Sequence, residues 1–423
     1  MEPARRLPAA LAEQVARASY GRLLALVSAR TRDIAAAEDA LVEAFAAALA
    51  QWPEGGVPAN PEGWLLTAAR RAAGHQRARA LTARRAADVL ALLAEEREDG
   101  PAAGQGRPFA DERLALLFVC AHPAIDPEAQ APLMLQTVLG LDAARIAAAF
   151  LVSGATMGQR LVRAKRKIRD AGIAFAVPDP AEAPQRLAAV LAAIYAAYGT
   201  AWDDTLGADA KLAGLRAEAL FLVRLTAELL PGEPEALGLL ALILHCEARQ
   251  GARRSADGGF VPLHAQDPAL WSRDLVVEGE TALRRAAALA APGRFQTEAA
   301  IQSLHAHQRM TGARLTAPLA RLYDVLAAFA PTTGVMVARA VAHAENGAAA
   351  AALAQLEAMG GVGAYQPWWA ALARVHWLRG EGEAAAAAAA TAAGLTTDPA
   401  IRAFLLSGGY RFAAGSGAAG GQT

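Results

Sequence analysis

The chain has 423 residues, 41 of them basic and 41 acidic, and 54% of it is apolar against 6% aromatic. At about 100–200 residues per domain it is too long for one core and calls for two to four. Richness in alanine and few period-two runs of Val, Ile, Thr and Tyr exclude an all-β protein, and the apolar share excludes wholesale disorder.

From the start, Arg17, Arg22 and Arg30 interrupt any signal-peptide layout, and no uninterrupted apolar run is long enough to span a bilayer. Two cysteines, Cys120 and Cys246, lie in apolar helical patterns and fit a reducing compartment. The expectation is a cytoplasmic chain with no membrane partner. Apolar spacing predicts helices over 11–28, 33–51 and 61–81. Asp33 suits an N-cap, and Asn60-Pro61-Glu62 combines a cap, a proline at the first helical position and an acid at the positive end of the dipole. The Gly- and Pro-rich stretch within 95–110 predicts a flexible linker. Helices follow over 111–122 and 128–139. Next come a short helix over 141–150, a turn at 151–153 and a longer basic helix over 154–170, which is a helix-turn-helix layout. A second linker occupies 176–184. Residues 185–412 read as helices, with a hairpin or extended loop over 253–263 around Asp257-Gly258-Gly259, and 413–423 as a disordered tail. Small residues at helix contacts, glycine turns and a following proline give the later helices a tetratricopeptide-like logic without exact repeats.

Two basic clusters carry the functional argument. One is Arg70, Arg71, Arg77, Arg79, Arg84 and Arg85, with no acid between Glu62 and Asp88; the other is Arg160, Arg163, Lys165, Arg166, Lys167 and Arg169. A lone cluster of this kind is as often a solvated helix face as a nucleic-acid contact; two on separate modules favour phosphate binding. On the second helix of the pair, Leu161 and Ile168 are assigned to packing, while Thr156, Gln159, Arg160 and Arg163 are expected to face outward. There Arg and Gln can read guanine and adenine while the remaining cations hold phosphates. Trp64 and Phe45 read first as core. His305 and His307 are two apart and diverge on a helix, so no metal site is expected. No Gly-x-Ser-x-Gly or His-Glu-x-x-His occurs, and neither an enzyme nor a cofactor is expected.

Three pieces, in order, resemble the extracytoplasmic-function sigma factors of the sigma-70 superfamily. They are Ala36-Ala37-Glu38-Asp39-Ala40-Leu41-Val42-Glu43-Ala44-Phe45, then Trp64-Leu65-Leu66-Thr67-Ala68-Ala69-Arg70-Arg71, then Leu161-Val162-Arg163-Ala164-Lys165-Arg166-Lys167-Ile168-Arg169. The long extension is similar to the subgroup with a C-terminal tetratricopeptide-like domain. The resemblance implies an all-α chain. Residues 11–94 would form region 2, binding core RNA polymerase and the −10 element. Residues 111–175 would form region 4, reading the −35 element of promoter DNA, and 185–412 a helical domain that modulates activity. It implies polymerase contacts from Glu38, Asp39, Leu41, Glu43 and Phe45. The −10 contacts would come from Asn60, Arg70, Arg71, Arg77 and Arg79, and the −35 contacts from Thr156, Gln159, Arg160, Arg163, Lys165, Arg166 and Lys167. The chain departs from the family pattern where it has His75 in place of the usual Asp, and Arg71 in place of Asn. Two roles stay open for the extension, gating the factor or supplying a required contact to a protein partner. A rival reading is a DNA-binding helical-repeat adaptor that does not recruit polymerase.

Overall fold

A computed structural model describes residues 19–87, 109–138, 140–149, 152–176, 178, 183–202 and 210–412. The expectations for 11–18, 88–94, most of the 95–110 linker and the 413–423 tail fall outside these residues. Every regular element among the described residues is a helix, apart from one isolated antiparallel bridge between Arg254 and Phe260. The chain is all-α and divides into two compact units, Met1–Thr226 and Ala227–Thr423.

In the first unit, α1 (19–31) ends where Arg32 turns left-handed at φ 54°. Asp33 then starts α2 (Ile34–Gly55), its carboxylate accepting from the Ala35 and Ala36 N–H groups at 3.0 and 3.2 Å. Ile34, Ala37, Ala40, Leu41, Ala44, Ala48 and Trp52 recur at helical spacing and are buried. Against them pack Leu23, Leu24 and Val27 of α1, and Leu65 and Ala69 of α3 (Pro61–Ala87). Trp52 and Trp64 meet edge to face, with ring centroids 5.6 Å apart. Asn60 caps α3 by accepting from the Gly63 N–H at 2.9 Å, and Glu62 in its first turn pairs with Ser19 and Arg22 of α1.

Next come α4 (Phe109–Cys120), α5 (Pro127–Thr137), α6 (Ala143–Ala149) and α7 (Gly154–Asp170). Asp126 with Pro127 starts α5, and Ser153 starts α7 by accepting from the Thr156 N–H at 3.1 Å. α7 buries Met157, Leu161, Ala164 and Ile168, one stripe at i, i+4, i+7 and i+11. α8 (Ala183–Trp202) packs on α5 and α4. The division between units falls between Thr226 and Ala227, within α9 (Ala210–Leu229).

The second unit contains α10 (Pro234–Ala248), α11 (Arg273–Ala288), α12 (Arg294–Thr311), α13 (Thr316–Phe329) and α14 (Thr333–His343). α15 (Ala349–Glu357), α16 (Gln366–Leu378), α17 (Gly382–Leu395) and α18 (Pro399–Leu406) follow. α10 packs on both α11 and α12. The α12 contact is close at Gly238, where a Cβ would lie 2.5 Å from the Gln296 nitrogen, so only glycine fits. Glu235 of α10 caps α12, accepting from the Phe295 and Gln296 N–H groups at 2.9 and 3.0 Å. The 253–263 loop turns at Gly258 (φ 85°), and the Val261 N–H donates to the Arg253 carbonyl at 3.0 Å.

Candidate functional site

The helix pair α6–α7 has the short-helix, turn, basic-helix form. Burial of Met157, Leu161, Ala164 and Ile168 fixes the rotation of α7, so Ala155, Thr156, Gln159, Val162, Arg163, Arg166 and Lys167 face solvent. Ala155, Gly158, Gln159, Val162 and Arg163 lie side by side on this open face. Val162 is 58% exposed in the middle of it, a position that the sequence reading passed over. Its spacing of three and four from Gln159 and Gly158 places it there by helical geometry, and an exposed valine can meet a thymine methyl.

Two of the expected DNA contacts are otherwise engaged. Arg160 does not project outward: its guanidinium meets the Glu128 carboxylate at 2.8 Å and the Glu128 carbonyl at 3.3 Å, on α5. Lys165 turns to the opposite flank, where its ammonium lies 2.6 Å from both carboxylate oxygens of Glu38 on α2. Beside it Arg169 approaches Asp33 at 3.8 Å and Asp170 at 3.1 Å.

On α2 the expected polymerase contacts separate into three environments. Asp39 and Glu43 are exposed, and Glu43 accepts from the Gln76 amide of α3 at 2.9 Å. Glu38 is half-buried; burial raises its carboxyl above the usual carboxylate range, with Asp39 and Asp33 adding to the rise while Lys165 opposes it. Burial also raises the Tyr20 phenol, with Glu38 nearby. Leu41 is fully buried in the α1–α3 core and presents nothing at the surface, and Phe45 is half-buried against that core. The apolar surface of α2 is supplied instead by Val42, 64% exposed, and Leu49, 51% exposed, two turns apart on one face and flanked by Asp39 and Glu43. The core stripe of α2 already places Leu41 inward, so the same periodicity marks its neighbour as outward.

On α3, Arg70, Arg71, His75 and Arg77 are exposed, while the side chain of Arg79 lies outside the described residues. Asn60 is exposed, with its amide oxygen occupied as the α3 cap. Among the described residues no group of three or more His, Cys, Asp or Glu is placed to hold a metal ion, and no helix is long and apolar enough to cross a membrane.

A model described as "Family of unknown function (DUF6596)" matches residues 186–287, from α8 into α11. An uncharacterised protein of Rhizobium meliloti (strain 1021) is 37% identical over 350 residues, covering 80% of this chain and 82% of the relative. The chain belongs to the family of that rhizobial protein. No solved structure matches. Because four-fifths of each family member is aligned, the likeness extends well beyond the 186–287 segment that DUF6596 describes.

Proposed function

We propose that the chain is a non-enzymatic transcription initiation factor of the sigma-70 type, which binds core RNA polymerase and delivers it to promoter DNA. In this reading α1–α3 are region 2, α4–α7 are region 4, and the helical pairs of the second unit are a tetratricopeptide-like array that modulates activity, all acting in the cytoplasm. The observation that carries the reading is the exposed face of α7. Short polar Thr156 and Gln159, apolar Val162, and the cations Arg163, Arg166 and Lys167 share the solvent side of the second helix of a helix-turn-helix. That is the mixture of base-edge and phosphate chemistry that a major-groove helix needs. The exposed arginines of α3 supply a second set of phosphate contacts, and the Val42–Leu49 face of α2, rimmed by Asp39 and Glu43, supports a protein contact separate from both.

Two such modules on one chain engage two DNA elements with raised effective concentration for the second. A repressor built on a helix-turn-helix has no need of the exposed apolar–acidic face of α2. The test is in vitro transcription with core polymerase and a pool of genomic fragments. Discrete promoter-specific transcripts that depend on the full chain are expected; DNA binding with no polymerase association and no transcripts refutes the reading.

A further inference from the structure

In the second unit the chain after α18 folds back onto α16. Gly408 (φ 83°) and Gly409, where a Cβ would collide with the Phe404 ring, make the turn. Tyr410 is then buried, edge to face with Trp377 at a centroid distance of 6.4 Å. Two residues on, Phe412 enters a socket. The His264 ring stacks on it with centroids 3.7 Å apart, and the Arg374 guanidinium lies 3.6 Å from its centre. Arg374 Nη1 also donates to the Tyr410 and Phe412 carbonyls at 3.0 and 2.5 Å, so the arginine holds main chain as well as ring. Its orientation is set by Glu345, which accepts from Nε at 2.6 Å. Glu345 is carried on a π-helical turn, Ala344–Ala348, that breaks at Gly347 (φ 96°). Arg374 is 3% exposed, yet its Nη2 has no hydrogen-bond partner. A buried donor left unmatched is costly, so the segment that fills the socket does not use all that the socket offers.

We propose that this socket is a docking site for a partner polypeptide whose chain ends in an aromatic residue, and that Phe412 fills it in cis until such a terminus displaces it. The inference stands apart from the sigma-factor reading and gives the second unit a partner of stated chemistry. In cis, residue 412 offers Arg374 one carbonyl oxygen. A terminal carboxylate carries a second oxygen on the same carbon, and a guanidinium takes such a pair through Nη1 and Nη2 together. The aromatic side chain of the incoming terminus keeps the contacts with His264 and Arg374, so exchange adds a charge-assisted bond without giving up the stacking. Arg309, bonded to the Gln266 carbonyl at 3.0 and 2.7 Å, brings further positive charge to His264, which favours an anion on that side. The cis segment sets a threshold. A tethered occupant competes at an effective concentration in the millimolar range, so only a terminus that gains from Nη2 displaces it. Capture of a chain end by its carboxylate is a known way of recognising one polypeptide terminus among many internal segments.

The test titrates the full chain into a fluorescein-labelled Gly-Ser-Gly-Phe peptide with a free C-terminal carboxylate and reads fluorescence anisotropy. The same peptide as its C-terminal amide, and one ending in alanine, serve as comparisons. Phe412→Ala empties the socket and is expected to bind the free-acid peptide on the order of tenfold tighter than the wild-type chain, because the cis competitor is gone. Phe412→Leu, which keeps an apolar contact and loses the ring, is expected to fall between them. The amide and the alanine peptide are each expected to bind about tenfold more weakly than the free acid. Adding His264→Ala to Phe412→Ala is expected to weaken binding several-fold with an unchanged thermal melt, since His264 is exposed. Adding Arg374→Lys, which keeps the charge and loses the planar fork, is expected to erase the difference between acid and amide. Absence of binding by a Phe412→Ala or Phe412→Leu chain that melts as cooperatively as the wild type overturns the socket. Equal affinity for acid and amide overturns recognition of a chain end, and equal affinity of the wild-type and Phe412→Ala chains overturns the competition in cis.

Discussion

The double substitution Val42→Ala/Leu49→Ala separates the proposed docking face of α2 from its core face. Val42 and Leu49 are 64% and 51% exposed, so truncation leaves the α1–α3 core intact. At about 0.8 kcal/mol per methylene-sized group, losing two groups from valine and three from leucine, scaled by exposure, removes ~1.0 and ~1.2 kcal/mol of burial available to a partner. The sum of ~2.2 kcal/mol corresponds to a Kd for core polymerase raised roughly 40-fold. The assay is titration of the labelled full chain with core polymerase, with a thermal melt of the unbound chain as control. Leu41→Ala provides the contrast. Leu41 is 0% exposed, and its loss costs ~2–5 kcal/mol of stability through transfer and cavity effects. A Val42→Ala/Leu49→Ala chain that melts like the wild type and binds polymerase within about 3-fold of it would refute the assignment of this face.

Further expectations concern stability, and each is read by denaturant or thermal unfolding. Arg374 is buried, with its guanidinium 2.6 Å from Glu345, hydrogen-bonded to the Tyr410 and Phe412 carbonyls and 3.6 Å from the centre of the Phe412 ring. Arg374→Met should cost ~3–5 kcal/mol by leaving Glu345 without that partner, and a loss below ~1 kcal/mol would contradict the geometry. Asp33→Ala removes the α2 cap and should cost ~1 kcal/mol, with Asp33→Ser recovering most of it. Burial, with Arg249 adding to it, pushes His305 from 6.5 down to about 4. The unfolded chain then binds the extra proton between those values, so the stability contribution is intact above about 6.5 and is lost as pH falls towards about 4. His305→Gln should flatten that part of the pH–stability curve, and an unchanged curve would remove the explanation.

Local chemistry made much of the fold legible. Asp33, Asn60-Pro61-Glu62 and the Asp257-Gly258 turn signal their structures within a few residues, because capping and turn geometry involve only near neighbours. The stripe from Ile34 to Trp52 also announces the inward face of α2, and it places Leu41 inside and Val42 outside. The assignment of Leu41 to a partner came from motif resemblance, which carries no information on helix rotation. What sequence could not supply is side-chain pairing at a distance. Lys165 meets Glu38 across 127 residues, and Glu235 caps a helix that starts 59 residues later, since Arg294 opens α12. The docking of α8 on α5 is equally invisible, because an amphipathic helix declares an apolar face and not which neighbour covers it.

The cations of α7 do not act as one cluster, and their division predicts a measurable quantity. By sequence, six basic residues lie between Arg160 and Arg169. Arg160 meets Glu128, Lys165 meets Glu38, and Arg169 meets Asp170 and Asp33. Arg163, Arg166 and Lys167 face solvent. Each phosphate neutralised on duplex DNA contributes about 0.9 to the slope of log affinity against log salt, so the three cations of α7 outside these ion pairs should contribute roughly 2.7, and not the ~5.4 of six contacts. Arg163→Gln/Arg166→Gln/Lys167→Gln should remove nearly all of that share, whereas Arg160→Gln should leave it in place and instead loosen the α5–α7 contact, seen as a lower melting temperature. Measured on a non-specific duplex, a slope that falls equally for Arg160→Gln and Arg163→Gln would show that Glu128 does not withhold Arg160 from phosphate, and the division of labour along the helix would fail.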